Sequence, residues 1–351
     1  MSSLISVVMS VYDGERYLRE SLESIFSQTI ADFEFIVVDD GSGDATWEIL
    51  NEAQKKDRRL TLVRNGTNIG LAESLNKALA LVRGKYVARQ DADDVSLPQR
   101  FERQIGFLKT HPDIGVLGTA VKKVDREDKE QGNYYPPEDH ETILARLLIN
   151  NCFRHPTLMM KASFLRQVQG YDIHAAWAED YDLLVRLRRL TRFANLREPL
   201  VRYRTGTGFF TGQHRQQQMD TAFRISSELL RESMEGTEFP LDIYRRFWWL
   251  IQQYHLPGVI KNTDFGEQDI RELRGVVKVL MRTPAGKDVW GASLCGLSAA
   301  WGLHGKGREG NALFSLVISR LRINFGWKSL LHFFPSLFFR WMKRKLLRDL
   351  R

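Results

Sequence analysis

The sequence predicts an α/β fold with a mostly parallel sheet flanked by helices, followed by an all-helical C-terminal region. Over residues 4–99, short apolar runs of strand length alternate with amphipathic stretches, the pattern of βαβ units with right-handed crossovers. Strand signals stop after about residue 226, and helical patterns continue to the end. We therefore expect two domains, residues 1–225 and 226–351, with the boundary between about 205 and 240.

Four strands are predicted in the first third of the chain, because each is a short apolar run typical of a strand covered on both faces. They are residues 4–11 (LISVVMSV), 33–38 (FEFIVV), 60–63 and 86–88. Helices are predicted between them at 15–28, from a cap at Asp44 or Thr46 to residue 53, and at 71–82. In such a sheet, ligands bind outside the carboxyl ends of the strands.

The next hundred residues continue the alternation less regularly. We expect a helix at 100–109, a strand at 114–121, a charged surface loop at 125–138, a helix at 141–150, a strand at 158–160, a helix opened by 178–182 and running to 190, and a strand at 199–204. Beyond the boundary, helices are predicted at 241–254, 267–281, 289–303, 313–323 and 329–350.

The composition of the chain limits the kinds of partner and the cellular compartment that we expect. The net charge of +8, from 51 Lys and Arg against 43 Asp and Glu, fits nucleic acid, an anionic membrane surface or phosphorylated substrates. The two cysteines, Cys152 and Cys295, make neither a disulfide framework nor a zinc set, which indicates a reducing compartment. We find no signal peptide and no apolar segment of membrane-spanning length, and so expect a cytoplasmic protein.

An acidic stretch follows the fourth strand, with carboxylates at Asp91, Asp93 and Asp94. Carboxylates this close repel one another unless a cation or donor groups offset their charge. At the end of a buried strand they suit Mg²⁺ or Mn²⁺, which would in turn bind a diphosphate. A solvated acidic turn is the alternative, but Tyr12 and Asp40 also fall at strand ends on the same rim.

An ordered set of motifs adds to this interpretation. In the first half they are 7–12 (VVMSVY), 38–42 (VDDGS), 68–71 (NIGL), 76–79 (NKAL), 84–86 (GKY) and 90–94 (QDADD), and further on 155–157 (HPT), 170–172 (GYD), 179–183 (EDYDL) and 203–204 (YR). Together they resemble the family 2 (GT-A type) inverting glycosyltransferases of bacterial polysaccharide synthesis. The resemblance covers about residues 4–205 and implies a GT-A type, Rossmann-like domain.

The resemblance implies a role for each matching residue on the donor side. Ser10, Val11 and Tyr12 would border the base and ribose of a UDP- or dTDP-sugar. Asp40, with Asp39 beside it, would accept the imide N–H of the base, and Asn68 and Gly70 belong with these donor-binding residues. Asp91 would lie by the ribose and diphosphate, and Asp93, with Asp91 as a further candidate ligand, would bind Mn²⁺ or Mg²⁺.

The resemblance also implies the acceptor side. Asp180, with Glu179 beside it, would be the catalytic base, and His155, Trp177 and Arg204 would lie near a glycan or lipid-linked acceptor. Acidic residues in the first turn of a helix are also ordinary partners of the helix dipole. Gly206 stands where many relatives have a histidine that is a further metal ligand; His214 is the nearest substitute, although a packing role fits it better.

Two other classes compete with a glycosyltransferase. A dinucleotide-binding dehydrogenase needs Gly-x-Gly-x-x-Gly after the first strand, and residues 10–15 (SVYDGE) lack it. A non-catalytic scaffold that binds nucleotide sugars or a membrane remains open. Nucleic acid is not expected as a partner, because the basic residues at the C-terminus alternate with bulky apolar ones.

The last segment, residues 329–351, combines large aromatic side chains with a basic run that includes Arg340, Lys343, Arg344 and Lys345. That pairing fits a segment lying in a lipid headgroup layer on the inner face of the cytoplasmic membrane. The alternatives are a helix packed on the C-terminal domain and a homo-oligomer contact through the C-terminal helices.

Overall fold

A computed structural model describes residues 4–206 and 214–233, together with Leu241, Asp242, Tyr244, Arg245 and Trp248. The chain divides into two units, Met1–Ile225 and Ser226–Arg351. The helices predicted from residue 267 onward and the basic C-terminal segment lie outside the described residues, so the predicted domain division and its all-helical second part stay predictions. In the second unit, the buried Ser226 and Tyr244 hydroxyls share a hydrogen bond of 2.6 Å.

The first unit contains nine strands and, with the helix that leads into the second unit, eight helices among the described residues. The strands are β1 (Ile5–Val11), β2 (Phe33–Asp39), β3 (Leu60–Arg64), β4 (Tyr86–Arg89), β5 (Val95–Ser96), β6 (Ile114–Val124), β7 (Glu130–Tyr134), β8 (Met159–Lys161) and β9 (Arg192–Arg204). The helices are α1 (Glu15–Phe26), α2 (Thr46–Lys56), α3 (Leu71–Ala80), α4 (Arg100–Thr110), α5 (His140–Leu147), α6 (Ala162–Gln167), α7 (Glu179–Leu187) and α8 (Arg215–Ser233).

The strands form one sheet in the order β3-β2-β1-β4-β8-β6-β9-β5, with β7 added to β6. The first four strands of this order are parallel, and so is the long ladder between β6 and β9. The shorter ladders of β8, β5 and β7 are antiparallel. The sheet is thus mostly parallel, which confirms the predicted fold class for this part of the chain.

Both faces of the sheet are covered, which explains the continuous apolar runs. Val8 and Val87 belong to one buried cluster, which includes side chains of α3, α5 and α7. Val7 and Met9 belong to the other, with side chains of α1, α2 and α4. Successive residues of β1 therefore enter opposite cores, as the two-residue repeat of a strand requires.

One predicted loop and one predicted strand boundary were wrong. The predicted loop at 125–138 contains β7, an edge strand whose polar residues are mostly exposed and carry no apolar alternation. Strand β9 begins at Arg192 rather than at 199, because its first half pairs with β6 from Ile114 onward. The N-cap residue of α2 is Ala45, which has no capping side chain, rather than the predicted Asp44 or Thr46; Asp44, one residue earlier, accepts a hydrogen bond from the Thr46 N–H at 3.0 Å.

No helix among the described residues is long and apolar enough to span a membrane.

Candidate active site

The carboxyl ends of the central strands are tied together by backbone hydrogen bonds. The Asp40 N–H donates to the Val11 carbonyl at 2.8 Å, and the Gln90 N–H donates to the Val8 carbonyl at 3.1 Å. Ser10 and Val11 are buried at the end of β1, and Tyr12 follows them with partial exposure. The predicted donor residues of the first strand therefore lie on the same rim as Asp40 and the acidic stretch.

Asp40 is held in a cage of donors. One carboxylate oxygen accepts from the Asn65 side-chain amide at 2.8 Å and from the Ile69 N–H at 2.9 Å, and the other accepts from the Gly70 N–H at 2.9 Å. A carboxylate offers about four lone-pair positions, so three bonds leave one position for a further donor. The turn that supplies these donors depends on Gly70, which has a φ of +94°.

The neighbouring residues support the same turn. Asp39 is fully buried, accepts from the Ser42 N–H at 3.1 Å and pairs with the Arg64 guanidinium at 3.0 Å. The Asn68 side chain accepts from the Gly70 N–H at 3.1 Å. Asp39 and Asn68 thus have structural partners of their own, and they shape the surroundings of Asp40.

The three carboxylates of the acidic stretch differ in environment. Asp91 is 28% exposed and pairs with the buried Arg89 guanidinium at 2.6 Å. Asp93 is partly buried, whereas Asp94 is buried and accepts from the Arg204 N–H at 2.7 Å through one oxygen. Burial, then the charges of Asp93 and Asp91, raise the pKa of Asp94 well above its ordinary value. Asp91 and Asp93 are therefore the two that can face a ligand.

Arg204, predicted on the acceptor side, lies against the acidic stretch. Its guanidinium donates to the Asp93 carbonyl at 3.0 Å, to Asp128 at 2.7 Å and to Glu20 at 3.1 Å. Its side chain is 1% exposed. The structure places Arg204 where it anchors the acidic loop, with little surface left for an acceptor.

Glu179 and Asp180 lie in the first turn of α7. Glu179 is buried, and burial together with the charge of Asp180 raises its pKa to about 7. Burial also raises the pKa of Asp180, although hydrogen bonds from the Tyr181 N–H at 2.7 Å and the Asn151 amide at 2.8 Å oppose that change. The charge of Asp91 also contributes to the rise of both pKa values.

His155 and Trp177 both precede this pair of carboxylates in the chain and have other partners. The His155 Nε2 atom is 2.7 Å from the Tyr171 hydroxyl, and burial lowers the pKa of His155 well below its ordinary value. Trp177 has a φ of +70°, a left-handed conformation that is costly for a bulky residue. Its ring stacks on that of His214 at 3.9 Å and 7°. His214 thus packs on the predicted acceptor residue.

Three residues that sequence reasoning did not single out belong to the site. Arg89 is a fully buried cation whose charge lowers the pKa values of His155, Tyr171 and Glu179. Asn151 orients Asp180, and Arg154 lies beside His155. An arginine within a buried strand is itself a signal, because such a charge needs a partner. Asn151 and Arg154 come after the helix α5, and no sequence pattern of this kind marks either of them.

The carboxylates fit a divalent cation brought in with a diphosphate. Within the described ranges, no group of three His, Cys, Asp or Glu side chains is arranged to hold a metal by itself. Mg²⁺ is usually held by one or two carboxylates together with substrate phosphates and water. Asp93 and the exposed part of Asp91 satisfy that requirement, whereas His214 is occupied with Trp177 and, through Nδ1, with Gln217 at 2.8 Å.

Comparisons with known proteins agree with this geometry. The profile of Glycosyl transferase family 2 matches residues 6–168. An uncharacterized glycosyltransferase of Methanocaldococcus jannaschii is 37% identical over 209 residues, which cover 57% of this chain and 70% of that protein. The O-antigen biosynthesis glycosyltransferase WbnJ of Escherichia coli is 35% identical over 213 residues, 57% of this chain and 79% of that protein.

A solved structure shares the fold. Residues 1–349 of Staphylococcus aureus TarS, in complex with UDP-GlcNAc, align with a TM-score of 0.55 at 17% identity, over 92% of this chain and 93% of that one. At this identity the likeness shows the fold alone, and the assignment depends on the relatives of higher identity. On that evidence, the chain belongs to glycosyltransferase family 2 and has a GT-A type fold.

Proposed function

We propose that the protein transfers a sugar from a UDP- or dTDP-sugar to an acceptor hydroxyl, with inversion at the anomeric carbon. One observation carries this proposal: β1 pairs in parallel with β2 and β4, so Asp40 and the acidic stretch with Asp91 and Asp93 follow neighbouring strand ends at one edge of the sheet. Such an edge suits a nucleotide and its diphosphate.

The donor would lie along the strand ends. Asp40 keeps one lone-pair position after its three protein hydrogen bonds, enough for the imide N–H of uracil or thymine. Ser10, Val11 and Tyr12 would border the base and ribose. The UDP-GlcNAc complex of the TarS structure supports a nucleotide-sugar donor for this fold.

Asp93 and Asp91 would hold a divalent cation, which would neutralise charge on the leaving diphosphate. The chain's own contribution is to fix these two carboxylates. Arg89 holds Asp91 at 2.6 Å, and Arg204 holds the Asp93 carbonyl at 3.0 Å. Both arginines are buried, so the loop is supported from the protein side.

Asp180 would take the proton from the acceptor hydroxyl. Asn151 and the Tyr181 N–H fix the carboxylate, and burial raises its pKa toward the range in which it accepts a proton near neutral pH. The hydroxyl would attack the anomeric carbon opposite the departing diphosphate, so one displacement inverts the configuration. This mechanism needs no carboxylate nucleophile.

His155 and Trp177 would border the acceptor, a glycan or a lipid-linked glycan. The name of the Escherichia coli relative supports a place in assembly of a cell-surface polysaccharide such as O-antigen, capsule or exopolysaccharide. A nucleotide-sugar-binding scaffold with the same fold is the other candidate. Such a scaffold requires the same contacts to the donor but no catalytic base. A measurement of turnover therefore distinguishes the scaffold from the enzyme.

The test is release of nucleotide from UDP- and dTDP-sugars by the full chain with Mn²⁺, with and without extracts that contain candidate acceptors. Transfer, or slower donor hydrolysis, supports an enzyme. Tight nucleotide-sugar binding without turnover under any condition would favour the scaffold. The configuration of the product linkage tests inversion, and retention would exclude the single displacement.

A further inference from the structure

Arg154 is held between two aromatic rings next to the predicted base. Its guanidinium carbon lies 4.3 Å from the centre of the Tyr134 ring and 5.6 Å from that of Tyr203. The Tyr134 hydroxyl donates to the Cys152 carbonyl at 2.7 Å, which fixes this ring. A planar guanidinium stacks well on aromatic faces. The ammonium group of a lysine is not planar and would not stack on these rings in the same way.

The donor groups of Arg154 have no partner within the part of the chain that the structure describes. Across the described residues, its side chain takes part in no hydrogen bond and no ion pair, and its Nε is buried without a partner. The other buried arginines of the rim have ion pairs: Arg89 pairs with Asp91, although its Nε is also buried without a partner, and Arg204 pairs with Glu20 and Asp128. A partly buried cation that is positioned but unpaired has the properties of a binding group.

The position of Arg154 indicates which substrate it would meet. It follows Asn151, whose amide donates to Asp180, and precedes His155, which contacts Tyr171. Tyr203, whose ring lies 5.6 Å from the Arg154 guanidinium carbon, is followed by Arg204, whose N–H donates to Asp94 at 2.7 Å. The hydrogen bond from Asn151 to Asp180, three residues before Arg154 in the chain, associates Arg154 with the predicted base.

We propose that Arg154 binds an anionic group, a phosphate or a carboxylate, carried by the acceptor close to the hydroxyl that is glycosylated. The inference rests on the proposed function, since Asp180 as base defines the acceptor side. A guanidinium binds either anion through two parallel N–H···O bonds, which fixes orientation as well as affinity. No carboxylate among the described residues forms an ion pair with Arg154, so the anion would come with the substrate.

The test uses the full chain with saturating UDP and Mg²⁺, so that the diphosphate positions are filled. Glycerol 3-phosphate, glucuronate and neutral glucose are titrated by saturation-transfer NMR. We expect at least one anion to bind at least about tenfold more tightly than glucose, and Arg154→Leu to remove that difference. Arg154→Lys keeps the charge but loses the planar fork, so it should show an intermediate affinity.

Arg103→Leu is the matched control, because Arg103 is exposed and pairs with Glu198 at 3.3 Å on the protein surface. It should bind the anions as the wild type does. Binding of glycerol 3-phosphate alone or glucuronate alone would identify the phosphate or the carboxylate as the group that is recognised. If thermal unfolding shows that Arg154→Leu is misfolded, Arg154→Lys decides.

Two results would overturn the proposal: equal anion binding by wild type and a folded Arg154 variant, or anion binding no tighter than that of glucose. UDP binding is measured separately by calorimetry. Failure of the wild type to bind UDP, with anion binding at Arg154 intact, would count against the proposed transferase and not against the anion site.

Discussion

Glu179 and Asp180 are neighbours in sequence with different surroundings. Asp180 is fixed by two hydrogen-bond donors, whereas burial and the charge of Asp180 raise the pKa of Glu179 to about 7. A base needs fixed geometry first and a suitable pKa second. The geometry therefore favours Asp180 as the base, with Glu179 as a neighbour whose charge depends on pH.

Asp180→Asn should retain donor affinity and lose transfer by about two to four orders of magnitude, the usual range for removal of a general base. An amide keeps the shape and the contact to Asn151 but does not accept the proton. Steady-state kinetics together with UDP calorimetry check this. An active Asp180→Asn beside an inactive Glu179→Gln would assign the base to the other carboxylate.

The raised pKa of Glu179 also predicts a pH-dependent stability. Because its folded pKa, about 7, exceeds its ordinary value of 4.5, its protonated form favours the folded state at low pH, and that contribution is lost as pH rises toward 7. Glu179→Gln should therefore stabilise the protein relative to wild type at pH 8, by up to about 3 kcal/mol, and little at pH 5. Urea unfolding at both pH values measures this.

The exposed Glu127→Gln is the control for that measurement, since its side chain is 74% exposed and loses little solvation on folding. It should show no comparable dependence on pH. A Glu179→Gln variant whose unfolding free energy differs from wild type equally at pH 5 and pH 8 would contradict the buried, protonated state.

Asp93→Asn tests the metal site. A neutral amide is a poor ligand for a hard divalent cation, so turnover should fall by at least about tenfold while the fold persists. Circular dichroism checks the fold, and the dependence of activity on Mn²⁺ concentration checks the ligand role. Undiminished turnover by this variant in excess EDTA would remove the metal from the proposal.

At the scale of elements, the buried strands could be predicted and the polar ones could not. β1 and β2 are covered on both faces, so their sequences are continuous apolar runs. β7 is an exposed edge strand, and the first half of β9 depends on pairing with β6, neither of which leaves a local pattern. The pattern of apolar residues in a sequence reflects which side chains are buried. A strand that is held mainly by pairing with a distant strand, and is not buried on both faces, has no such pattern.

The same limit applies to the site. Asp40, Asp91, Asp93 and Asp180 could be proposed from the sequence because strand ends and family motifs mark them. Arg154 was not, because its significance depends on Tyr134 and Tyr203, which come from β7 and β9. The sequence predicted a loop in place of β7 and only the second half of β9.

The turn from Asn65 to Gly70 gives a prediction at this scale. Gly70 has a φ of +94° and donates its N–H to Asp40, so Gly70→Ala strains the turn by about 1–3 kcal/mol although its side chain would meet open space. UDP affinity should fall, as measured by calorimetry. Gly66→Ala is the control, because its side chain would also meet open space and its φ is not positive.

Equal UDP affinity in the Gly70→Ala and Gly66→Ala variants would show that the cage around Asp40 does not contribute to nucleotide binding. A lower affinity of Gly70→Ala alone would support the donor role of Asp40. The comparison separates backbone strain from the addition of a methyl group, since both variants add the same group in the same turn.

At the scale of the whole molecule, the site is assembled from residues far apart in sequence. Tyr12, Asp40 and Asp91 follow parallel neighbours in the sheet, so their strand ends meet at one edge. Asp180 arrives from α7, which packs in the cluster on one face of the sheet. The candidate site can therefore form only when β1 pairs correctly with both β2 and β4.

The C-terminal segment gives the last prediction, which concerns the location of the whole protein. Residues 329–351 lie outside the described residues, and their aromatic and basic composition supports salt-sensitive binding to anionic lipid. Each cation near such a surface contributes about 1 kcal/mol. Replacing Arg340, Lys343, Arg344 and Lys345 by Gln should therefore reduce sedimentation with anionic liposomes at low salt without changing UDP affinity.

The matched control replaces four exposed cations of the first unit by Gln: Lys55, Lys56, Lys109 and Arg166. It lowers the net charge equally, so a loss of liposome binding confined to the C-terminal variant would assign the contact to that segment and not to overall charge. If the wild type does not sediment with anionic liposomes at low salt, the membrane role is wrong. The apolar residues of the segment would then be explained by packing in the second unit or by an oligomer contact, which sedimentation velocity would distinguish.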